Sequence, residues 1–318
     1  YQLEIAMKKY LLVTAILDLE FESKLSSPIK IQENVYVTNN PEHYKKFIKP
    51  EHFMAIGSLE GNLLYKGVPV VYQECLVADI AGSHVALVDF MRNVLAFLMA
   101  TWMERDNSAN IELGFAISQS DNHVHSNSLT YYYCQSDTSN CSTTITNTEL
   151  HASASTSLSK IGGMASEQEP QLTMSQKTVG RQNVASSFLQ QARSSADIGV
   201  KVANYCSFFE ALLSTNSAEL SHQLAERAAF LLRDTPEERY EHFKKTKKAY
   251  GVRSKVVHGD VLSTSQLNAA KETSAHCDLV ARELMKKLIS DDDFLAAIQN
   301  KDNAVLDNYL IKKIFGVV

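Results

Sequence analysis

The chain has 318 residues, of which 45% are hydrophobic and 21% are charged, and its net charge is −5 at pH 7. This length favours two domains, and this composition excludes a disordered or fibrous protein. The negative balance argues against a protein that coats nucleic acid with uniform positive charge, although it is compatible with a local basic patch. The five cysteines are odd in number and form no CxxC pair, which indicates free thiols in a reducing cytoplasm.

Residues 1–150 predict a mixed α+β domain, because stretches rich in β-branched and aromatic residues alternate with helical ones. A short helix is predicted to break at Pro50, and a long apolar helix follows over residues 83–104. A hairpin is predicted over residues 62–76, with its turn near Gly67 and the adjoining lysine. The other predicted strands are KYLLVTAILDLEF, IKIQENVYVTN, NIELGFAISQ and NSLTYYYC.

Two apolar stretches resemble export or membrane signals. The segment MKKYLLVTAILDLEF begins like a signal peptide, but no small-residue cleavage site follows, so a buried strand is the better interpretation. Residues 84–103 are long enough to span a bilayer, but Asp89, Arg92 and Asn93 lie in their middle at a high insertion cost. We therefore expect a core helix, no membrane contact and a cytoplasmic location.

Residues 151–178 differ in composition from the rest of the chain, since serine, threonine, glycine and glutamine dominate them. They predict a linker or a long surface loop. Over residues 179–318, apolar residues recur at helical spacings, and each predicted helix has one apolar stripe. Such helices must pack on one another, which predicts an all-α bundle. The clearest stripe consists of Ile198, Val202, Tyr205, Phe209 and Leu212.

One of these helices has a strong start signal and carries the most basic stretch of the chain. Thr235 can cap it, Pro236 suits its first position, and Glu238 can complete a capping box. Between Arg239 and His258 there are seven Lys or Arg residues against a single glutamate. On charge alone, a solvated helix face explains this stretch better than a surface that follows a phosphate backbone.

The same helix leads into AYGVRSKVVHGD, in which Arg253 stands five residues before His258. This spacing alone carries little weight, because nine arginines and ten histidines supply such a pair by chance. The context is more specific and resembles the hallmark of the Apea-like family of HEPN domains. That family carries an aromatic residue three positions before an Arg–Ser pair, then an apolar pair and His–Gly. The matching residues are Tyr250, Arg253, Ser254, Val256, Val257, His258 and Gly259.

The resemblance extends over about residues 185–316. KVANYCSFFEALLS is similar to the family's first long helix, and Glu210 matches the acid that this helix carries within an apolar run. ELSHQLAERAAFLL is similar to the family's second helix, and LDNYLIKKIFG is similar to its closing segment. Residues 1–150 have no counterpart in it. Asp260 is a departure, because related proteins that pair with a nucleotidyltransferase antitoxin often carry a tyrosine there, and control by tyrosine modification is therefore doubtful.

HEPN domains of this kind are helical bundles, and many are metal-independent ribonucleases that act as dimers. The resemblance implies that Arg253 binds the phosphate and His258 transfers a proton, without a cofactor, leaving a 2′,3′-cyclic phosphate and a 5′-hydroxyl. The residue types suit this chemistry, because histidine titrates near neutrality and a guanidinium binds phosphate bidentately. The resemblance also implies a toxin or an anti-phage defence effector, with an antitoxin or a phage-derived trigger as partner and a first domain that senses, restrains or selects.

The helical spacing adds a geometric constraint. Five residues of an ideal helix turn by about 500°, so Arg253 and His258 should point about 140° apart. Either the helix ends or distorts near Gly259, or a second copy of the chain completes the site. The resemblance implies the second arrangement, in which two copies of the motif line one cleft, and we therefore predict a homodimer.

Other residues are candidates for supporting roles. The resemblance places Glu210 near the cleft, where it would orient Arg253, although an exposed or paired helix charge explains this glutamate equally well. Ser254 belongs to the motif, and Asn204 is a weaker candidate on the helix of Glu210. A tyrosine at position 250 is more often a core aromatic than an RNA contact. With that reservation, the candidate RNA contacts are Lys247, Lys248, Tyr250 and Lys255.

Other chemistry finds less support in the sequence. His123, His125, Cys134 and Cys141 suggest a zinc site, but their spacing matches no zinc motif, so polar exposed strands are the default and no metal ligand is assigned. The chain has no Walker A loop, GxGxxG turn, GxSxG elbow or HExxH helix. Two alternatives to a ribonuclease stay open, namely a non-catalytic HEPN module that binds RNA or protein and a helical dimerisation scaffold.

Overall fold

The computed structural model describes residues 7–129, 132–158 and 180–317. These residues divide into two compact units, the first with an antiparallel sheet and helices and the second with helices. The first unit holds the described residues up to 132 and from 140 to 158, whereas residues 133–139 belong with 180–317 to the second. An α/β unit followed by a helical unit is the order that the sequence predicts.

Strand β1 lies in the middle of the first unit's main sheet. The strands are β1 (Lys8–Ala15), β2 (Leu19–Phe21), β3 (Ile29–Gln32), β4 (Val35–Thr38), β5 (Val70–Val77), β6 (Gly114–Ser118), β7 (Val124–Asn127) and β8 (Thr143–Ile145). Six of them form an antiparallel sheet in the order β3-β4-β5-β1-β6-β7, and β2 pairs with β8 in parallel. Residues 10–14 of β1 are all buried, as expected for a strand that is covered on both faces.

The two faces of this sheet bear separate hydrophobic cores. The helices of the unit are α1 (Pro50–Ile56), α2 (Ser58–Leu63), α3 (Ile80–Glu104) and α4 (Asn147–Thr156). Tyr10 and Leu12 of β1 belong to the core that α3 covers, and Leu11 and Val13 belong to the other. Within the described ranges, α3 is the one helix that is long and apolar enough to cross a membrane, and just over half of its apolar window is buried, which agrees with a core helix.

Several predicted elements of the first unit differ from the structure. IKIQENVYVTN forms the two antiparallel strands β3 and β4 rather than one strand. The predicted short helix before Pro50 consists of two 3-10 turns, and α1 begins at Pro50 instead of ending there. The hairpin over residues 62–76 is wrong, because residues 62 and 63 end α2 and β5 pairs with β1 and β4 instead. Gly67 does turn the chain, with φ of +77°, but it connects a helix to a strand. In NSLTYYYC, residues 130 and 131 lie outside the described residues, and among the other six only Asn127 belongs to a strand, β7.

The predicted linker falls only in part on described residues. Helix α4 continues through Thr156, so residues 151–156 are helical, and its start is a capping box made by Thr146 and Glu149. Residues 159–178 of the prediction lie outside the described residues. The linker therefore stays a prediction for those residues.

The helical unit is arranged around a central buried helix. Its helices are α5 (Arg181–Ser194), α6 (Ile198–Leu213), α7 (Leu220–Leu232), α8 (Pro236–Val257), α9 (Thr264–Ser290), α10 (Asp292–Gln299) and α11 (Asn303–Ile314). Helix α6 is the central one, since α5, α8 and α9 all pack against it. Thr235 and Glu238 form the predicted capping box at the start of α8, with Pro236 as its first residue.

Two histidines are buried side by side in this unit. His242 of α8 and His276 of α9 have ring centroids 5.0 Å apart. Burial, together with the nearby charges of Arg233 and Lys245, lowers the pKa of His242 to about 3 and that of His276 to about 4. Both rings are therefore neutral in the folded protein at neutral pH.

We expect the helical unit to lose stability as the pH falls from 7 to 5. A histidine in the unfolded chain titrates near pH 6.5, so the unfolded state binds more protons than the folded state in this window, and acid favours unfolding. The free energy of unfolding should fall by up to about 2 kcal/mol for each histidine. Urea unfolding followed by circular dichroism at pH 5, 6 and 7 measures this dependence. His242→Gln and His276→Gln should each flatten it, and an unchanged slope in both variants would contradict the assignment.

Candidate functional site

Helix α8 ends directly before His258, which is its C-cap residue. The His258 backbone N–H donates to the carbonyl of Ser254 at 3.1 Å. Gly259 has φ of +79°, and its N–H and that of the next residue donate to the carbonyls of Val256 and Lys255. This pair of hydrogen bonds is the Schellman motif, in which glycine is favoured because its left-handed conformation strains other residues. The glycine of the His–Gly pair therefore has a structural role in ending the helix.

The His258 side chain is exposed and makes no hydrogen bond or ion pair with the described residues. Its ring is accessible for proton exchange with a bound ligand. The φ of His258 is −86°, so the side chain still leaves the backbone in a nearly helical direction. The helix does end near Gly259, as one of the two alternatives requires, but its end at Val257 does not by itself turn the His258 ring toward Arg253.

Arg253 lies beside Glu210 of α6, as the predicted orienting role requires. Arg253 Nη2 is 3.6 Å from Glu210 Oε1, which is an ion pair but too long for a hydrogen bond. Arg253 Nε and Glu210 Oε1 are both buried, and neither has a hydrogen-bond partner among the described residues. Burial raises the pKa of Glu210, and the charge of Arg253 opposes this shift. An anion that reached the Arg253 guanidinium would meet a group whose Nε donor the fold leaves unsatisfied.

A stripe of α6 holds the end of α8 in place. Gly199, Cys206 and Glu210 lie within about 40° of one another on an ideal helix. The backbone at Gly199 packs so closely on Val256 that an added Cβ would lie 2.6 Å from its Cγ2 atom. Tyr250 is buried, and its hydroxyl donates to the carbonyl of Cys206 at 3.2 Å. Tyr250 is therefore a core residue that positions α8, and its predicted contact with RNA is not retained.

Two glycines test this close approach of the helices. Gly199→Ala should lower the free energy of unfolding by about 1 to 2 kcal/mol, because its Cβ would overlap the stiff, β-branched Val256. Gly251→Ala in α8 is the matched control, since nothing lies within 4 Å of its added Cβ. That variant should be about 0.5 to 1 kcal/mol more stable than the wild type, because alanine favours the helix. Urea unfolding measures both changes, and a stabilised Gly199→Ala would contradict the tight contact.

The remaining candidates on α6 and α8 are exposed residues of α8 and one residue of α6 that does not face Arg253. Lys247, Lys248 and Lys255 are exposed on α8, as a contact with RNA requires. Ser254 is exposed and its carbonyl takes part in the cap of the helix. Asn204 is half-buried and lies six residues from Glu210, which places it about 120° away around α6. Asn204 therefore does not share the stripe that faces Arg253.

The residues considered for zinc do not come together. Cys134 belongs to the helical unit, where its thiol contacts the carbonyls of Arg193 and Ser195, whereas Cys141 belongs to the first unit. Histidines 84, 123 and 125 cluster instead, with ring centroids 3.9 Å apart for the pair 84–125 and 5.5 Å for the pair 123–125. Over residues 7–129, 132–158 and 180–317, no group of three or more His, Cys, Asp or Glu is arranged to hold a metal ion.

Sequence reasoning missed one surface of α8. Its first turns carry Tyr240 and Phe243, two aromatic residues at helical spacing, and Tyr240 is 62% exposed. The available signal was a lysine four residues after each ring, at positions 244 and 247, because residues at this spacing are neighbours on a helix. This pattern indicates a surface of alternating aromatic and cationic groups.

The site thus consists of an arginine held beside a half-buried carboxylate and an exposed histidine that ends the same helix. A guanidinium of this kind can bind a phosphate, and an exposed imidazole can transfer a proton. Comparison of the chain with protein-family models, curated proteins and solved structures gave no match.

Proposed function

We propose that the protein is a homodimeric, metal-independent endoribonuclease of the HEPN type. The observation that carries this proposal is Arg253, with an unsatisfied buried donor, on the same basic helix as the exposed His258. In the reaction, the 2′-oxygen of a ribose attacks the phosphorus, and the bond to the leaving 5′-oxygen breaks. His258 takes the proton from the 2′-hydroxyl or gives one to the 5′-oxygen, and solvent water makes the other proton transfer. Arg253 stabilises the charge that grows on the phosphate.

A second copy of the chain would supply what one helix cannot. On an ideal helix, Arg253 and His258 of one chain point about 140° apart, so a cleft lined by two copies would bring both residue types to one phosphate. Val257 and Val261 flank His258 and are 57% and 92% exposed, and such apolar groups beside a functional residue favour a protein interface. Light scattering should give twice the chain mass, and a monomer that cuts RNA would contradict the composite site.

The biological role that we assign follows from the same resemblance. The protein would act in the cytoplasm as a toxin or as a defence effector against phage, with an antitoxin or a phage-derived trigger as its partner. The first unit would then sense, restrain or select. The exposed lysines 247, 248 and 255 also suit the second candidate, a module that binds RNA without cutting it.

The proposed reaction is tested with a labelled single-stranded RNA and the analysis of its ends. Cleavage should proceed at the same rate in EDTA, and a single 2′-deoxynucleotide at the cut site should block it, because the 2′-oxygen is the nucleophile. The products should carry 2′,3′-cyclic phosphates and 5′-hydroxyls. Salt-dependent binding without cleavage would identify the binding module instead. A loss of cleavage in EDTA would show that a metal ion takes part.

A further inference from the structure

An open groove of about 480 Å³ lies between α7 and the first turns of α8 in the helical unit. It is not part of the site around Arg253, and none of its residues has a role in the proposed cleavage reaction. Most of the residues that line it are aromatic or cationic. They are His222, Phe230, Arg239, Tyr240 and Phe243, with Glu226 as a carboxylate among them.

The three Phe and Tyr rings of the α7–α8 groove, those of Phe230, Tyr240 and Phe243, each have a cation nearby. The guanidinium of Arg239 lies 4.6 Å from the ring centre of Phe230. The ammonium of Lys244 lies 4.6 Å from the ring of Tyr240, and that of Lys247 lies 5.6 Å from the ring of Phe243. The His222 ring meets Phe243 edge to face, with centroids 5.0 Å apart. The rings are thus held by their neighbours, while Tyr240 remains 62% exposed.

This combination selects one class of occupant. Nucleobases stack on aromatic rings and on guanidinium planes, while the nearby cations attract the phosphates between the bases. An apolar helix of a protein partner would instead have to bury Arg239 and Lys244 beside apolar side chains, at a high desolvation cost. Glu226 and the ion pair of Lys244 with Glu241 reduce the local positive charge. The helix that continues from the groove nevertheless carries seven Lys or Arg from residue 239 to 258 against one acid.

We propose that the α7–α8 groove is a stacking subsite for an unpaired base of single-stranded RNA, with Tyr240 as the platform. The RNA backbone then runs along the lysines of α8 toward His258, over about 27 Å of helix. A base within a duplex has both faces covered by its neighbours, so the subsite selects single-stranded over double-stranded substrate. This inference rests on the proposed function, because it assigns the substrate class of that same enzyme.

The test measures RNA affinity in a chain that also carries His258→Ala, so that no substrate is consumed. Tyr240→Ala should weaken binding of a fluorescent single-stranded RNA about tenfold, because one stacking contact is lost. Tyr240→Phe keeps the ring and should bind as the parent does. Phe315→Ala is the matched control, since it removes an aromatic ring that is 77% exposed in the same unit but outside the groove. The same sequence in a duplex should bind Tyr240→Ala and the parent equally.

Salt dependence and oligomeric state separate the outcomes. Tyr240→Ala should keep the slope of log affinity against log salt, whereas Lys247→Ala should reduce it by about one phosphate contact. If Tyr240→Ala leaves the affinity unchanged while the wild-type protein cuts RNA, the subsite is overturned and the proposed function stays intact. If Tyr240→Ala binds RNA more weakly than Tyr240→Phe but the wild-type protein never cuts RNA, the subsite is supported and the nuclease proposal fails. If wild type neither binds nor cuts RNA, both proposals fail. A Tyr240→Ala that dissociates the dimer without changing RNA affinity would place a second copy in the groove and overturn the subsite.

Discussion

His258→Ala is expected to lower the rate of RNA cleavage by about 100- to 10,000-fold, because a positioned proton-transfer group contributes that much. Arg253→Ala should lower the rate by about 100- to 1,000-fold, since it removes the group that stabilises charge on the phosphate. Neither substitution should unfold the protein. The His258 ring is exposed, and Arg253 contributes an ion pair of 3.6 Å that is about one-third open to solvent.

Matched variants show whether the loss belongs to the site. His151→Ala removes another exposed histidine, from α4 of the first unit, and should keep full activity. Arg253→Lys keeps the charge but not the planar fork, so it should restore only part of the rate. The proposal fails if wild type cuts no RNA while both alanine variants melt several degrees lower, because the two residues would then be structural.

A mixing experiment tests how the two chains share the site. Suppose that one cleft takes Arg253 from one chain and His258 from the other. A heterodimer of an Arg253→Ala chain with a His258→Ala chain then retains one complete set, and the mixture of two inactive proteins should regain cleavage after subunit exchange. No recovery, in a mixture shown to contain heterodimers, would mean that each chain must supply both residues.

Asp278→Ala is expected to lower the free energy of unfolding of the helical unit by about 3 to 5 kcal/mol. Asp278 of α9 is 1% exposed, and its carboxylate accepts hydrogen bonds from the Tyr205 hydroxyl and from Arg282 Nε, each at 2.8 Å. The substitution leaves a buried hydroxyl and a guanidinium that is 17% exposed without this acceptor. The network joins α9 to α6, the helix that also carries Glu210.

Urea unfolding followed by helical circular dichroism measures the effect of Asp278→Ala. Asp278→Asn keeps one acceptor but removes the charge, and we expect it to fall between wild type and alanine. Asp260→Ala is the control, because Asp260 is exposed just after α8 and should change stability by less than about 0.5 kcal/mol. A loss below about 1 kcal/mol for Asp278→Ala would show that water replaces the lost carboxylate.

The helical unit shows how far local patterns reach. The capping box at Thr235, the end of α8 at Gly259 and the apolar stripe of α6 depend on residues within a few positions of one another, so the sequence predicts them. The wrong hairpin at residues 62–76 arises from contacts between residues that are distant in the chain. A Lys–Gly turn between apolar runs is typical of a hairpin, but Leu64 is buried in the core near the end of α2, and long-range pairing with β1 and β4 defines β5.

Some features of the candidate site likewise follow from local sequence, and others follow from contacts between distant parts of the chain. The sequence by itself determined which helix carries Arg253 and His258, how basic that helix is and where it ends, because these properties follow from composition and helical period. Only the tertiary structure decided that Glu210 meets Arg253, that Tyr250 is buried against Cys206 and that Tyr240 stays open beside α7. Helical period orders the stripes of one helix, whereas the stripe that each helix buries depends on neighbours that are distant in the chain.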